Sequence, residues 1–256
     1  MSFFLDYQNY LPEISLPAQK KLEAFFEALI KEAMPAGMIA KNDSPELLWV
    51  RHILDSLLPL QSQEAALALG QGNVYDLGSG AGLPGLALAS LFPETHFYLA
   101  DISEKRTLFL ERMKVRLQLE NVEVIRTRIE EFPEGVYPEA SAVLFRAFLK
   151  PLMALELSLH IFQRTGAQKG KVLYWRSRPF DSFQEGINPA EKPDFEAATL
   201  ERLDDLGFSN RRFITLDAPL PLEKRGLYIL DYQGAKSGFP RSWKKIKKDT
   251  LLEQVL

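Results

Sequence analysis

The sequence predicts an α/β fold in which a mostly parallel sheet is wound with helices on both faces. Three observations carry this expectation. An apolar run at residues 74–77 leads into Gly78-Ser79-Gly80-Ala81-Gly82, and a second apolar run follows at 83–91. Strand, glycine turn and helix, in that order, form the ligand-binding opening of doubly wound sheets. The strand–helix alternation then repeats through residue 175, and the second strand, residues 96–100, runs into Asp101 where such sheets hold their ligands.

Each element follows from local pattern. Residues 1–14 are aromatic and polar without a clear period and are expected to form a short arm. Ser15 caps a predicted helix to about Met34, with Leu22, Phe25, Phe26, Leu29, Ile30 and Ala33 on one face. Pro35, Gly37 and Asn42 end it. Ser44-Pro45-Glu46 starts another helix, with Ser44 as cap and Pro45 as first residue, running toward Leu58. A helix over about 103–119 places Phe109, Met113 and Leu117 on one face, and the third strand covers 122–125. Residues 140–145 form the fourth strand, which ends at Arg146; Pro151 opens a helix to Phe162, and 170–175 is the fifth strand. Arg176 and Arg178 stand at its end. A proline-rich loop at 179–193, a helix at 195–206 closed by Gly207, and two antiparallel strands at 211–216 and 227–232 complete the sheet. The expected organisation is a helical extension (1–71) packed on the core, a main domain (72–240) and a basic tail (241–256).

Composition narrows the function. A chain of 256 residues with 46% hydrophobic content can bury a sizeable core. It has no cysteine, which excludes disulfides, thiolate zinc sites and a cysteine nucleophile and suits a reducing cytoplasm. A formal net charge of -3 excludes a strongly basic domain but allows a local nucleic-acid patch. The N-terminus lacks the basic region and apolar core of a signal peptide. No apolar run approaches the roughly 18 residues of a membrane span. There is no H-x-x-x-H spacing, so no metal site is expected.

The glycine turn admits two ligands. Gly80, Gly82 and Gly85 fit the G-x-G-x-x-G of a dinucleotide site, as in an NAD(P)-dependent oxidoreductase. However, the strand ends at Leu77, so the turn begins at Gly78, and Leu83 then occupies the place of the third glycine. Together with Asp76 just ahead of the turn, this favours S-adenosylmethionine. The turns after the first three strands face one crevice, so Asp101, Ile129 and Glu130 can reach the same adenosine. Arg51, His52 and Asp55 are candidates for positioning a substrate, with His52 and Asp55 three apart on one helical face. Arg146 can meet a cofactor carboxylate or an RNA phosphate. The one dense basic cluster is Arg241-Ser242-Trp243-Lys244-Lys245-Ile246-Lys247-Lys248, where lysines suit phosphates and Trp243 offers a stacking plane.

Arg51-His52-Ile53-Leu54-Asp55-Ser56-Leu57, the run from Asp76 through Gly85, Glu130-Glu131-Phe132 and Arg146-Ala147 stand in the order and spacing of one family. Over roughly residues 15 to 240 the chain resembles the bacterial small-subunit (16S) ribosomal RNA guanine-N7 methyltransferases, RsmG or GidB. That resemblance implies a class I methyltransferase fold, a seven-stranded sheet in the order 3-2-1-4-5-7-6. It implies S-adenosyl-L-methionine as cofactor, contacted by Gly78, Leu83, Ile129, Glu130 and Arg146, with Asp76, Ser79, Gly80, Gly82 and Asp101 completing the motif. The implied substrate is a guanosine of small-subunit ribosomal RNA, free or in an assembling subunit. It would be met by Arg51, His52, Arg176, Arg241, Lys244, Lys245, Lys247 and Lys248 of a cytoplasmic monomer. The chain departs from the family at Gly37-Met38-Ile39, at Trp175-Arg176-Ser177 and after Phe239-Pro240-Arg241. A non-catalytic RNA-binding or ribosome-assembly factor on the same fold is the other class of function.

Overall fold

The computed structural model describes residues 3–40, 43–176, 200–222 and 225–249, with only the backbone of Leu5. Arg178, Ser177 and the loop expected at 179–193 lie outside the described residues, as does the predicted start of the following helix. Seven strands form one sheet: β1 (Asn73–Leu77), β2 (His96–Asp101), β3 (Val122–Arg126), β4 (Ala142–Phe145), β5 (Gly170–Arg176), β6 (Phe208–Thr215) and β7 (Gly226–Tyr232). Their order is β3-β2-β1-β4-β5-β7-β6. β1 to β5 are parallel, and β7 inserts antiparallel between β5 and β6. This is the class I methyltransferase sheet, and the antiparallel β7 distinguishes it from the all-parallel 3-2-1-4-5-6 sheet of dinucleotide enzymes.

Two apolar layers cover the sheet. On one face Phe109, Leu110 and Met113 of the Glu104–Arg116 helix pack with Leu86, Phe97 and Leu99. On the other, the Pro151–Arg164 helix buries Leu155, Leu159 and Phe162 against Tyr75, Val143 and Val172. The N-terminal helices have no separate core. Phe25, Leu29, Trp49 and Leu54 belong to the same cluster as Val74 and Phe97. The aromatic arm folds back so that Phe3, Phe4 and Phe26 surround the Trp49 ring, with centroids at 5.7, 4.8 and 5.1 Å.

The helix predicted to start after Ser15 runs over Leu16–Ala28, although the Ser15 side chain makes no capping hydrogen bond, and then widens into a π-helical turn over Leu29–Ala33. Ser44 caps the next helix, accepting from the Leu47 amide at 3.2 Å. This helix is regular only over Pro45–Leu48 and becomes π-helical over Trp49–Leu54 before Asp55–Leu57. The wider i→i+5 turn shifts the phase of every side chain after it. It therefore decides where His52 and Asp55 point.

The basic segment is not a free tail. Trp243–Ile246 forms one helical turn, and Ile246 is fully buried in the layer on the Pro151–Arg164 helix.

Candidate cofactor site and the clamp behind it

At the carboxyl ends of β1, β2 and β3 lies a cavity of about 220 Å³. Gly78, Asp101, Ile129 and Glu130 line it, joined by Ile102, Arg106, Arg128, Phe148, Leu149, Leu157 and Trp243. Asp101 is its central polar group. The carboxylate is almost wholly buried, yet accepts from the Ser103 amide at 2.8 Å and the Gly80 amide at 3.0 Å, with Arg106 at 3.4 Å. An ionised carboxylate offers about four lone-pair sites, so one remains for a ligand hydroxyl. Asp101 thus pins the glycine loop to β2 while keeping an acceptor in the cavity.

The loop needs its glycines for two different reasons. Gly78 has φ +69°, and a Cβ there would lie 2.1 Å from the Phe148 ring, which packs over it and narrows the cavity. At Gly85 the constraint is space, since a Cβ would lie 2.2 Å from Leu99 and 2.5 Å from the Asp76 carboxylate.

Asp76 and Ser79, expected on the cofactor, are turned inward. Asp76 is buried and accepts from the Ser79 hydroxyl at 2.6 Å and the Gly85 amide at 3.0 Å. These bonds tie both ends of the glycine loop together. Burial pushes the Asp76 carboxyl up to about 6 from 3.8. Leu83 and Gly82 close the turn through amide bonds to the Ser79 carbonyl and do not line the cavity.

The expected pairing of His52 with Asp55 does not form: past the π-helical turn the Asp55 carboxylate meets two guanidinium groups, and the His52 ring meets no hydrogen-bond partner. Asp55, 1% exposed, sits between Arg146 Nε at 3.0 Å and Arg225 Nε at 2.6 Å. Arg146 also donates to the carbonyls of His52 (3.0 Å) and Arg51 (2.6 Å) and to the Ser56 hydroxyl (2.6 Å). Trp175 Nε1 donates to the Asp55 carbonyl at 2.9 Å. The Arg51-to-Ser56 motif is therefore a clamp joining the helical extension to the ends of β4 and β5. Arg146, expected on the cofactor, places its guanidinium in that clamp and does not line the cavity. Nothing in the sequence singles out Arg225 or Trp175 for this cluster, since neither adjoins the motif.

Neither ring nitrogen of His52 has a hydrogen-bond partner, and both are shielded from solvent. Burial, with Arg146 nearby, pushes the imidazole down to about 4 from 6.5. Between those values the unfolded chain binds a proton that the folded chain refuses, so stability falls as pH drops through that window. Asp76 acts in the opposite sense: the native carboxyl takes its proton first, and stability rises as pH falls from about 6 toward 3.8. His52→Leu removes the first effect and leaves the second. The drop in melting temperature between about pH 7.5 and about pH 5 should be smaller in His52→Leu than in the parent. An equal drop in both would show that His52 is not held neutral.

The residues expected on RNA divide. Arg51 is half exposed and bound to both oxygens of Asp43 at 2.8 Å. Arg176 lies over the Tyr174 ring at 5.9 Å. Lys244, Lys245, Lys247 and Lys248 are exposed. Arg241, also expected on RNA, is paired with Glu156 and Asp249. The structure adds Arg106 and Arg128 at the cavity, with Arg128 at 3.9 Å from Glu130. Among the described residues no cluster of three or more histidine or acidic side chains is placed to hold a metal, and no helix is long and apolar enough to cross a membrane.

Residues 18–181 match the family described as GidB, rRNA small subunit methyltransferase G. The chain belongs to this family. Ribosomal RNA small subunit methyltransferase G of Pseudomonas paraeruginosa is 38% identical over 138 residues, 53% of this chain and 60% of that protein. The protein of the same name from Methylobacillus flagellatus is 33% identical over 165 residues, covering 62% and 76%. Against the Pseudomonas paraeruginosa member of the family, the chain spans about three fifths of the relative's length. A putative O-methyltransferase from Klebsiella pneumoniae has the same fold, with a TM-score of 0.52 at 11% identity over 91% of this chain and 96% of that one. The methyltransferase G match takes in the clamp motif, the glycine loop, Asp101, Glu130 and Arg146, but not Trp243 or the lysines beside it.

Proposed function

We propose that this protein is an S-adenosylmethionine-dependent methyltransferase acting in the cytoplasm on N7 of a guanosine in small-subunit ribosomal RNA, free or in an assembling subunit. Family membership supports the reaction class, and the observation that carries the cofactor is Asp101. Its buried carboxylate keeps an acceptor in a cavity that also offers the Gly78 backbone and the apolar Ile102 and Ile129. A ribose hydroxyl suits the acceptor, and an adenine suits the apolar walls. S-adenosylmethionine, when bound, supplies an electrophilic methyl group and leaves as S-adenosylhomocysteine.

Guanine N7 carries an exposed lone pair. The N7–C bond forms as the S–C bond breaks, and no proton leaves the base. The chain therefore needs no general base, which agrees with a His52 that is shielded and neutral. Its work is to hold N7 in line with the methyl group, a positional contribution of several kcal/mol in favourable cases. Arg106, Arg128 and the exposed Lys244, Lys245, Lys247 and Lys248 offer cations for RNA phosphates around the cavity. Single-stranded or extruded guanines present N7 to such a site.

Calorimetry with S-adenosylhomocysteine and with NAD(P) tests the cofactor directly. The homocysteine compound should bind and the dinucleotides should not. The opposite result would replace the methyltransferase reading with the oxidoreductase one. Cofactor binding without transfer to undermodified RNA or assembling subunits would leave an assembly factor.

A further inference from the structure

We infer that the C-terminal segment is part of the cofactor site, with Trp243 as a wall of the pocket, and that it couples RNA binding to cofactor binding. The inference rests on the cofactor reading above and adds a residue and a mode of regulation to it.

Three observations meet in this segment. The first is position: half-buried Trp243 lines the same cavity as Asp101, Ile129 and Glu130 although it lies more than a hundred residues later in the chain. The second is anchorage. Glu156, fully buried on the Pro151–Arg164 helix, accepts from the Arg241 amide at 3.0 Å, from its Nε at 2.7 Å and from its Nη2 at 2.6 Å. Arg241 also donates to Asp249 at 2.6 Å, and Arg202 reaches the same Asp249 oxygen at 3.0 Å. These bonds grip the segment on both sides of Trp243, and Ile246 drives it into the core from below. A carboxylate desolvated this far is retained only when fully paired. The anchor therefore holds the two ends of the segment, at Arg241 and Asp249, against the rest of the domain.

The third observation is charge. Lys244, Lys245, Lys247 and Lys248 flank Trp243, and Lys247 Nζ lies 5.6 Å from the Trp243 ring centroid. RNA phosphates held by these lysines would immobilise the turn that carries the pocket wall. A second ligand then meets an already ordered wall, so each ligand strengthens the other by the same factor. The basic cluster thus serves both as a phosphate contact and as a sensor of whether RNA is present.

The test compares the full-length parent, Trp243→Ala and Trp243→Phe, all checked for unchanged melting temperature. S-adenosylhomocysteine is titrated by calorimetry with and without undermodified small-subunit RNA. Trp243→Ala should weaken S-adenosylhomocysteine about tenfold, the equivalent of about 1.4 kcal/mol. Trp243→Phe should recover most of that loss. RNA should tighten cofactor binding several-fold in the parent and not in Trp243→Ala. Fluorescence gives an independent readout: Trp49 and Trp175 are buried elsewhere, so the ligand-induced change should vanish in Trp243→Phe. Parent protein that binds S-adenosylhomocysteine, with Trp243→Ala binding equally well, would overturn the inference and leave the cofactor site standing. Equal affinity with and without RNA in the parent would overturn the coupling. Failure of the parent to bind S-adenosylhomocysteine at all would instead overturn the cofactor reading itself.

Discussion

Asp55→Ala is expected to cost about 3–5 kcal/mol of folding stability, the usual price of removing one partner from a buried charge cluster. The side chain is 1% exposed and faces two guanidinium groups. Its loss leaves the buried Arg146 beside a partly exposed Arg225 with no carboxylate between them, and the freed Arg146 also loosens its hold on the carbonyls of Arg51 and His52. The damage should spread from the clamp to the helical extension, because Ile53 and Leu54 pack into the same core as Val74. Urea unfolding followed by circular dichroism measures it. A change below about 1 kcal/mol would mean that the cluster is solvated and that the motif serves something other than the clamp. Ser56→Ala, which removes one hydroxyl partner of Arg146 and leaves its other bonds in place, should cost less, about 1.5–3 kcal/mol.

Asp101→Ala should weaken S-adenosylmethionine by one to two decades while the protein stays folded. Hydrogen bonds to a charged group are worth about 1.5–3 kcal/mol, and each 1.4 kcal/mol is about tenfold in affinity. The variant loses two things: the acceptor for a ligand hydroxyl, and the anchor that holds the Gly80 amide at 3.0 Å. Asp101→Asn separates them, since its amide oxygen can still accept one of the loop amides. The asparagine variant should keep more of the melting temperature than alanine while losing a similar share of affinity. Unchanged cofactor affinity in a folded alanine variant would remove Asp101 from the site.

The frame of the molecule was legible because its signals are local. The glycine turn after an apolar run, the Ser44-Pro45 start and the strand ending at Asp101 each depend on a few adjacent residues. The resemblance supplied the strand order, and the sheet follows it. The site was legible where it is built from strand ends, as at Gly78, Asp101, Ile129 and Glu130. It was illegible where distant segments meet. The His52–Asp55 pairing assumed a 3.6-residue turn, and the π-helical stretch at Trp49–Leu54 broke that phase. Arg241 looked like an RNA contact beside four lysines, but its partner is Glu156, 85 residues earlier, on a face no sequence pattern marks as adjacent. Trp243 reads as an exposed stacking plane, but it is half-buried and lines the cavity beside Asp101.

Methyl transfer to guanine N7 leaves a mark on the RNA that chemistry can locate. Undermodified small-subunit RNA, free and in assembling particles, is incubated with the protein and methyl-labelled S-adenosylmethionine. The product is then reduced with borohydride and cleaved with aniline, which breaks the chain at N7-methylated guanines and not at unmodified ones. Label should fall on one guanine, with strand scission at that position. Label without scission, or label on another base, would contradict transfer to guanine N7.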